Sequence, residues 1–393
     1  MARPDAIRRH NLRLLLDQVH RDGELTRAQL TNRLKMSRST IGALVAELAD
    51  LGLVAERVPT GGDRAGRPSH VVGPRADGPY VVAVDVDITD LTMAAVGIGG
   101  HVLGRYAVTT GSAPGTPKAV ARHVVSAVRE LGTQVPPGAW PVAIGVSVPG
   151  TVTRRTGMVE FAPNLNWQHE PVGAILGAAA PGGLPVSIGN DADLAVLVEH
   201  LRGNARGTDD VIYLMGRSGV GAGFIMNGQP LTGRDGYAGE VGHNVVDVSG
   251  PQCHCGKFGC IETYIGDSAL LILAGRHGVA SADNVAAVFS DAINGDAVAA
   301  SAVRTVADAL GRTIAGLVNI LNPERVVLGG SLAHVHAFAP GEIVASIQRH
   351  AMGPARDNVH LFSSAFTDDA SLLGAAELAF ATLLDDPIAV RPN

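Results

Sequence analysis

Between residues 80 and 330 the chain repeats one pattern. An almost wholly apolar run stops abruptly at an acid, an asparagine or a glycine: VVAVDVD (81–87), VAIGVSVPG (142–150), VSIGND (186–191), VIYLMG (211–216) and RVVLGG (325–330). Such runs read as buried strands ending in turns. Helical periodicity fills the gaps, near 117–132, after Asp191 and through 301–321. Alternating strands and helices predict an α/β fold. The chain is 46% apolar and 17% charged over 393 residues, with no low-complexity tract, which excludes a disordered or coiled-coil protein. At roughly 100–200 residues per domain, two to four domains are expected. No stretch approaches ~18 consecutive apolar residues, so no membrane span is expected. The opening MARPDAIRRHN lacks the apolar core of a secretory signal, and a cytoplasmic location is expected.

The net charge of −6 is unevenly spread. Residues 1–75 hold 13 Lys+Arg and 8 Asp+Glu, a balance of +5, and the remainder carries −11. A basic head on an acidic body points to a polyanion partner for the head alone. In the head, Leu12, Leu15, Leu16 and Val19 fall on one helical face. Thr26 and Gln29 form a capping box for a second helix, after which a short turn follows around Lys35 and Met36. Ser37 caps a third helix with the stripe Ile41, Leu44, Val45, Leu48, and Gly52 stops it. A short strand at 53–57, the loop TGGDRAGRPS and His70-Val71-Val72 then suggest a two-stranded ribbon. Three helices and a ribbon make a winged helix-turn-helix. Its third helix would enter the major groove of double-stranded DNA, presenting Arg38, Ser39 and Thr40. Arg64 and Arg67 of the wing would reach phosphates or a minor groove. Residues 73–79 read as a linker.

Three cysteines lie within eight residues: Cys253, Cys255 and Cys260. An odd number so closely spaced is no disulfide framework; it suggests a metal. Glycines at 256 and 259 allow the tight turn that three converging thiolates need. His243, in Gly-His-Asn, is available as a fourth ligand, whereas His254 by parity points away. A Cys3His set is closed and tetrahedral and would hold structural Zn2+.

NDADLAVLVE (190–199), GYAGEVGHNVV (236–246) and CHCGKFGCIE (253–262), together with the glycine loops at 218–223 and 329–330, resemble the ROK family of repressors and sugar kinases. The resemblance covers about residues 80–380. It implies an actin-like, ribonuclease H-like body of two lobes, and zinc in the Cys3His site. The expected organisation is a head over 1–75 and a sugar-binding body over 76–393. Lobe one would span about 80–190 plus 375–393, and lobe two about 191–374. The resemblance also implies that Asn190, Asp191, Glu240, His243 and Glu262 bind a sugar, with Asn164 reaching it from a neighbouring loop. Gly150 would let the backbone approach that sugar. Asp191 matches the base that deprotonates the accepting hydroxyl in the kinases.

One motif departs from the kinase pattern. The family's phosphate turn, Asp-x-Gly-Gly-Thr, is here Asp85-Val86-Asp87-Ile88-Thr89, followed by Asp90. Both glycines are lost. A carboxylate and a branched side chain replace the backbone N–H groups that would cradle a triphosphate. In the second loop, Arg217 stands where the family has its first glycine. The expected protein is therefore no enzyme, with Asp191 a vestigial base. It is a transcriptional regulator, a repressor, whose operator affinity a sugar or sugar derivative modulates. A homodimer or dimer of dimers on a palindromic operator follows from that reading. The alternative is an ATP-dependent sugar kinase with an appended DNA-binding domain.

Overall fold

The computed structural model describes residues 4–58, 70–110, 115–278 and 280–389. The head begins with α1 (Pro4–Asp22), β1 (Leu25–Thr26), α2 (Arg27–Leu34) and α3 (Arg38–Asp50), then β2 (Val54–Arg57) and β3 (Val71–Pro74). Thr26 accepts the Gln29 N–H while Gln29 reaches back to the Thr26 N–H, the reciprocal box expected from the sequence. Ser37 Oγ takes the Thr40 N–H, and Gly52 sits at φ +74 just past α3. The ribbon has three strands rather than two, in the order β1-β3-β2. Leu25 is paired with Val72, so the segment before α2 closes the sheet. The expected linker is also shorter, because Gly73 and Pro74 still pair with β2, leaving residues 75–78 as a turn.

The body is built twice to one plan. Its first sheet contains β4 (Pro79–Val86), β5 (Asp90–Gly97), β6 (Val102–Thr109), β7 (Trp140–Val148) and, beyond a small three-stranded sheet, β11 (Val186–Asn190). The small sheet is β8 (Thr151–Thr153), β9 (Met158–Ala162) and β10 (Trp167–Glu170). Helices α4 (Pro117–Gln134) and α5 (Val172–Ala179) lie in this half, and α6 (Asp191–Arg202) leads out of it. The second sheet contains β12 (Val211–Gly216), β13 (Val220–Met226), β14 (Gln229–Pro230), β15 (Arg325–Gly330) and β16 (His360–Ser363). Its helices are α7 (Glu262–Ile265), α8 (Asp267–Leu273), α9 (Ala282–Ile293), α10 (Ala297–Leu321), α11 (Ser331–Phe338), α12 (Pro340–His350) and α13 (Gly353–Asn358). The terminal α14 is Ala370–Asp385.

The strand orders are β6-β5-β4-β7-β11 and β14-β13-β12-β15-β16. In each, three consecutive strands form an antiparallel meander, a fourth joins the first of them in parallel, and a fifth joins the fourth in parallel, the parallel strands being linked by helical crossovers. This is the actin-like, ribonuclease H-like duplication. The connecting helices exchange sides: α6 follows the last strand of the first sheet yet packs on β13, and α14 follows the second sheet yet packs on β4 and β7. At Gly145 an added Cβ would lie 1.9 Å from the Ala375 carbonyl oxygen, so β7 and α14 meet backbone to backbone.

No helix among the described residues is long and apolar enough to cross a membrane. The apolar stripe of the head does not end at the head. Leu12, Leu15, Leu16 and Val19 share one continuous core with Val81, Ala83, Ala376, Phe380 and Leu383. Gly52 abuts the Trp140 ring, its missing Cβ 3.0 Å from the indole. The head is thus docked on the body.

Candidate functional site

Parallel strands of an open α/β sheet leave a crevice beyond their carboxyl ends. Here β4, β7, β11 and β12 all end at one cleft between the two sheets. It is lined by Asp87, Asn164, Asn190, Asp191, Arg217, Glu240, His243 and Glu262, among others. Every sugar-facing residue expected from the sequence is among them.

Asn190 caps α6, its oxygen accepting the N–H groups of Ala192 and Asp193 at 2.9 and 3.0 Å, and its amide donates to the Gly150 carbonyl at 2.9 Å. One amide hydrogen remains for a ligand. Asp191 is the first residue of α6 and is buried, with Oδ1 receiving the Ala192 N–H at 2.8 Å. Burial pushes its carboxyl up to about 7, against the pull of Arg217. Asn164 sits in a 3₁₀ turn and donates to Ser218 Oγ at 3.4 Å across the cleft. Glu240 precedes the 3₁₀ turn Val241–His243 rather than lying in an α-helix; its Oε2 is 3.9 Å from His243 Nε2. Positions three apart eclipse in a 3₁₀ turn, so the two share a face. A side chain at Gly219 would have to displace the Glu262 carboxylate, since a Cβ there would stand 2.9 Å from Glu262 Oε2.

Gly150 lines the cleft, and its backbone also lets two chain segments meet closely. Its φ is +100, and an added Cβ would lie 2.3 Å from the Phe161 carbonyl oxygen. The glycine serves a crossing of two chain segments.

The other side of the cleft explains the altered phosphate turn. Asp85 lies in β4, buried, not on the turn itself. Arg217, at the end of β12, donates from Nη2 to Asp85 Oδ2 at 2.9 Å, with Nε 3.8 Å from Asp87 Oδ2. Burial disfavours its charge, but Asp85, Asp87 and Asp191 together outweigh that and raise its pKa. The Ile88 N–H is capped by Asp87 Oδ1 at 2.7 Å, and the Asp87 N–H is bonded to the Asp90 carbonyl. The amides that would meet a phosphate are already bonded, and the carboxylate that would serve a divalent cation holds an arginine. Sequence reasoning saw Arg217 as a lost glycine but not as a bridge between sheets. Asp267 was missed: it is buried, and burial raises its carboxyl to about 6. Nothing in its local sequence separates it from an ordinary helix-start acid.

The cysteine loop converges as its spacing suggests. Ligand atoms of His243, Cys253, Cys255 and Cys260 all lie within 4.8 Å of one another. Cys255 Sγ is 3.7 Å from Cys260 Sγ, and Cys253 Sγ is 3.7 Å from His243 Nδ1. A tetrahedron on ~2.3 Å metal–sulfur bonds has edges of about 3.8 Å, so the donor set fits zinc in kind and size. His243 turns Nδ1 to the sulfurs and Nε2 to Glu240. Gly259, at φ +67, would place a Cβ 1.6 Å from the Asp247 carbonyl oxygen, so the loop closes only with glycine there. His254 is exposed, as parity suggests. Glu262 Oε1 lies 2.7 Å from Cys253 Sγ and joins this loop to the cleft.

In the head, most arginines are engaged by carboxylates: Arg8 with Glu47, Arg9 with Asp5, Arg27 with Glu56, Arg33 with Asp22 and Arg57 with Glu24. Lys35 and Arg38, at the turn into α3 and its first residue, are exposed and have no side-chain partner among the described residues. Ser39 is exposed and Thr40 half-buried; both hydroxyls lie 2.8 Å from Ser37 Oγ. Arg64 and Arg67 lie outside the described residues.

The signature of the ROK family covers residues 81–382, and that of the MarR family covers residues 14–66. The chain belongs to the ROK family. It is 27% identical to the xylose repressor of Caldicellulosiruptor bescii over 391 residues, spanning 96% of this chain and 97% of the relative. It is 30% identical to a glucokinase of Thermotoga maritima, but over 76% of this chain and 96% of the relative, so that the head has no counterpart there. Among solved structures, a ROK family transcriptional regulator, a homologue of the E. coli MLC protein, superimposes with a TM-score of 0.76 at 24% identity, covering 96% of this chain and 97% of that one. The full-length likeness to repressors, the MarR-type head and the filled phosphate side place this ROK protein among the family's transcriptional regulators, not its kinases.

Proposed function

We propose that the chain is a sugar-responsive repressor in which residues 1–75 read a DNA operator and 76–393 bind the effector. The observation that carries this reading is the asymmetry of the cleft. Its phosphate side is filled by Arg217 on Asp85 and Asp87, while its sugar side keeps Asn164, Asn190, Asp191, Glu240, His243 and Glu262 around an open space. Carboxylates and amides at several angles suit the hydroxyls of a sugar ring. Arg38, Ser39 and Thr40 face the major groove, Lys35 stands beside them, and Arg64 and Arg67 serve the wing. His243, Cys253, Cys255 and Cys260 hold one structural Zn2+, which fixes the loop carrying Glu262 and the ring of His243. A homodimer or dimer of dimers in the cytoplasm presents two heads to a palindromic site. The sugar favours one arrangement of the lobes by binding it more tightly. A coupling of ~1–3 kcal/mol changes operator affinity about 5–150-fold.

The test is selection of an operator from genomic fragments, followed by titration with and without D-xylose, D-glucose and N-acetyl-D-glucosamine, and a parallel thermal-shift screen. Binding of a sugar at 100 times its Kd adds roughly 2.7 kcal/mol to stability. A protein that selects no duplex, or one whose melting and operator affinity ignore every sugar, overturns the reading.

A further inference from the structure

A buried polar cluster joins the head to the body, and nothing in the site already described uses it. His20, at the end of α1, is 1% exposed. Its Nδ1 accepts the Gly99 N–H at 3.2 Å, which fixes the proton on Nε2, and Nε2 donates to Glu377 Oε2 of α14 at 2.8 Å. The other Glu377 oxygen receives Arg202 Nε at 2.7 Å. Arg202, the last residue of α6, also donates from Nη1 to the His20 carbonyl at 2.8 Å and the Gly99 carbonyl at 3.1 Å. Outside the cluster, Arg206 pairs with Asp22 and Arg13 with Asp385. Three elements distant in sequence therefore meet on one carboxylate.

The same helix that ends at Arg202 begins at Asp191 in the cleft. Twelve residues span about 18 Å. The first turn of α6 packs directly on the backbone of its neighbours. An added Cβ at Gly374 of α14 would lie 2.0 Å from the Leu194 carbonyl oxygen, and one at Gly223 of β13 would lie 2.3 Å from that of Ala192. At the cleft end backbone rests on backbone on both sides, so a displacement there is not absorbed by side-chain rotation, and the hydrogen-bonded helix carries it as a unit toward Arg202.

We infer that α6 is the rod linking the effector cleft to the DNA reader, and that Arg202, Glu377 and His20 are the positioning residues of its joint. The inference rests on the proposal that a sugar seats against Asp191. Sugar binding displaces the Asp191 end, Arg202 moves with the helix, and the carbonyl of His20 and the shared carboxylate carry α1 along.

The test uses the full chain with Glu377→Gln, which keeps shape and removes charge, and Arg202→Met. Each is compared with wild type in two ways. The first is the ratio of operator affinities without and with D-xylose, D-glucose or N-acetyl-D-glucosamine. The second is amide exchange in residues 12–20 and at Gly99, without sugar or DNA. In the variants we expect the ratio to fall to within about 2-fold of unity, sugar affinity and zinc content to stay at wild-type values, and α1 to lose protection while β12 and β15 keep theirs. Retention of the wild-type ratio in folded variants overturns the joint, whatever exchange shows. If wild type itself ignores every sugar, the proposed function fails and exchange alone judges the joint. Residues 12–20 exchanging as fast in wild type as in the variants then overturn it.

Discussion

Asp191 and Arg217 stand in one cleft with opposite consequences. The Asp191 carboxyl titrates at about 7 because it is buried, against an ordinary value of 3.8. Between those values the folded chain binds a proton that the unfolded chain does not, so this residue lowers stability as pH rises from about 4 to 7. Asp191→Asn is expected to melt higher than wild type at pH 8, by at most about 4 kcal/mol, with the difference vanishing near pH 4. Calorimetry at both pH values checks it, and a variant equally or less stable at pH 8 contradicts a buried, strained carboxylate. Arg217→Gly restores the family's glycine, yet the Ile88 N–H stays bonded to Asp87 and two carboxylates lose their cation. The expected outcome is a drop in melting temperature and no ADP release over a sugar panel. Turnover near ~1 s⁻¹ would mean that the arginine alone had silenced a kinase.

The elements around the site show which local signals survive folding. Helix α3 forms as its cap and stripe dictate, and its first residue, Arg38, has no side-chain partner among the described residues. Arg38→Ala is expected to weaken operator binding by about 1–3 kcal/mol if it contacts a base, with the melting temperature unchanged. Anisotropy titrations at fixed salt measure this, and an unchanged affinity places the reading surface elsewhere. The cysteine loop was legible for a different reason: three thiols so close together admit few arrangements, and Gly256 and Gly259 mark the turn. Cys255→Ser is expected to lower zinc below one per chain by mass spectrometry of the native protein and to loosen the loop bearing Glu262. A variant that keeps a full equivalent of zinc rejects the ligand set. By contrast, the third strand of the head was not legible, since Leu25 and Thr26 form a strand only because Val72 and Val71 return beside them.

At the scale of the molecule, the head is fixed to the body through an apolar core, one buried charged cluster and peripheral ion pairs such as Arg206 with Asp22 and Arg13 with Asp385. His20 and Arg202 hold the Glu377 carboxyl at about 2 despite its burial, below an ordinary 4.5. A depressed carboxyl contributes stability that is complete above its ordinary value and lost as pH falls through its folded one. Docking should therefore be intact at pH 5 and weaken between about pH 4 and 2. Trp140, against Gly52 of the head, is a built-in reporter. In a Trp167→Phe background its emission should shift to the red over that range, and Glu377→Gln should flatten the transition. An acid-insensitive Trp140 signal in the wild type would contradict the charge coupling.

The sequence by itself determined the local grammar: caps, helical stripes, buried strands ending in polar turns, the metal-like cysteine spacing and the loss of two glycines. Each depends on residues close together in the chain, where covalent geometry limits the choices. Only the tertiary structure decided that Arg217 fills the phosphate side, that Gly150 serves a chain crossing, and that His20, Arg202 and Glu377 share one carboxylate. The contacts of Arg217 and of the His20, Arg202 and Glu377 cluster join residues more than a hundred positions apart, and no local preference encodes which distant partner a buried charge will find.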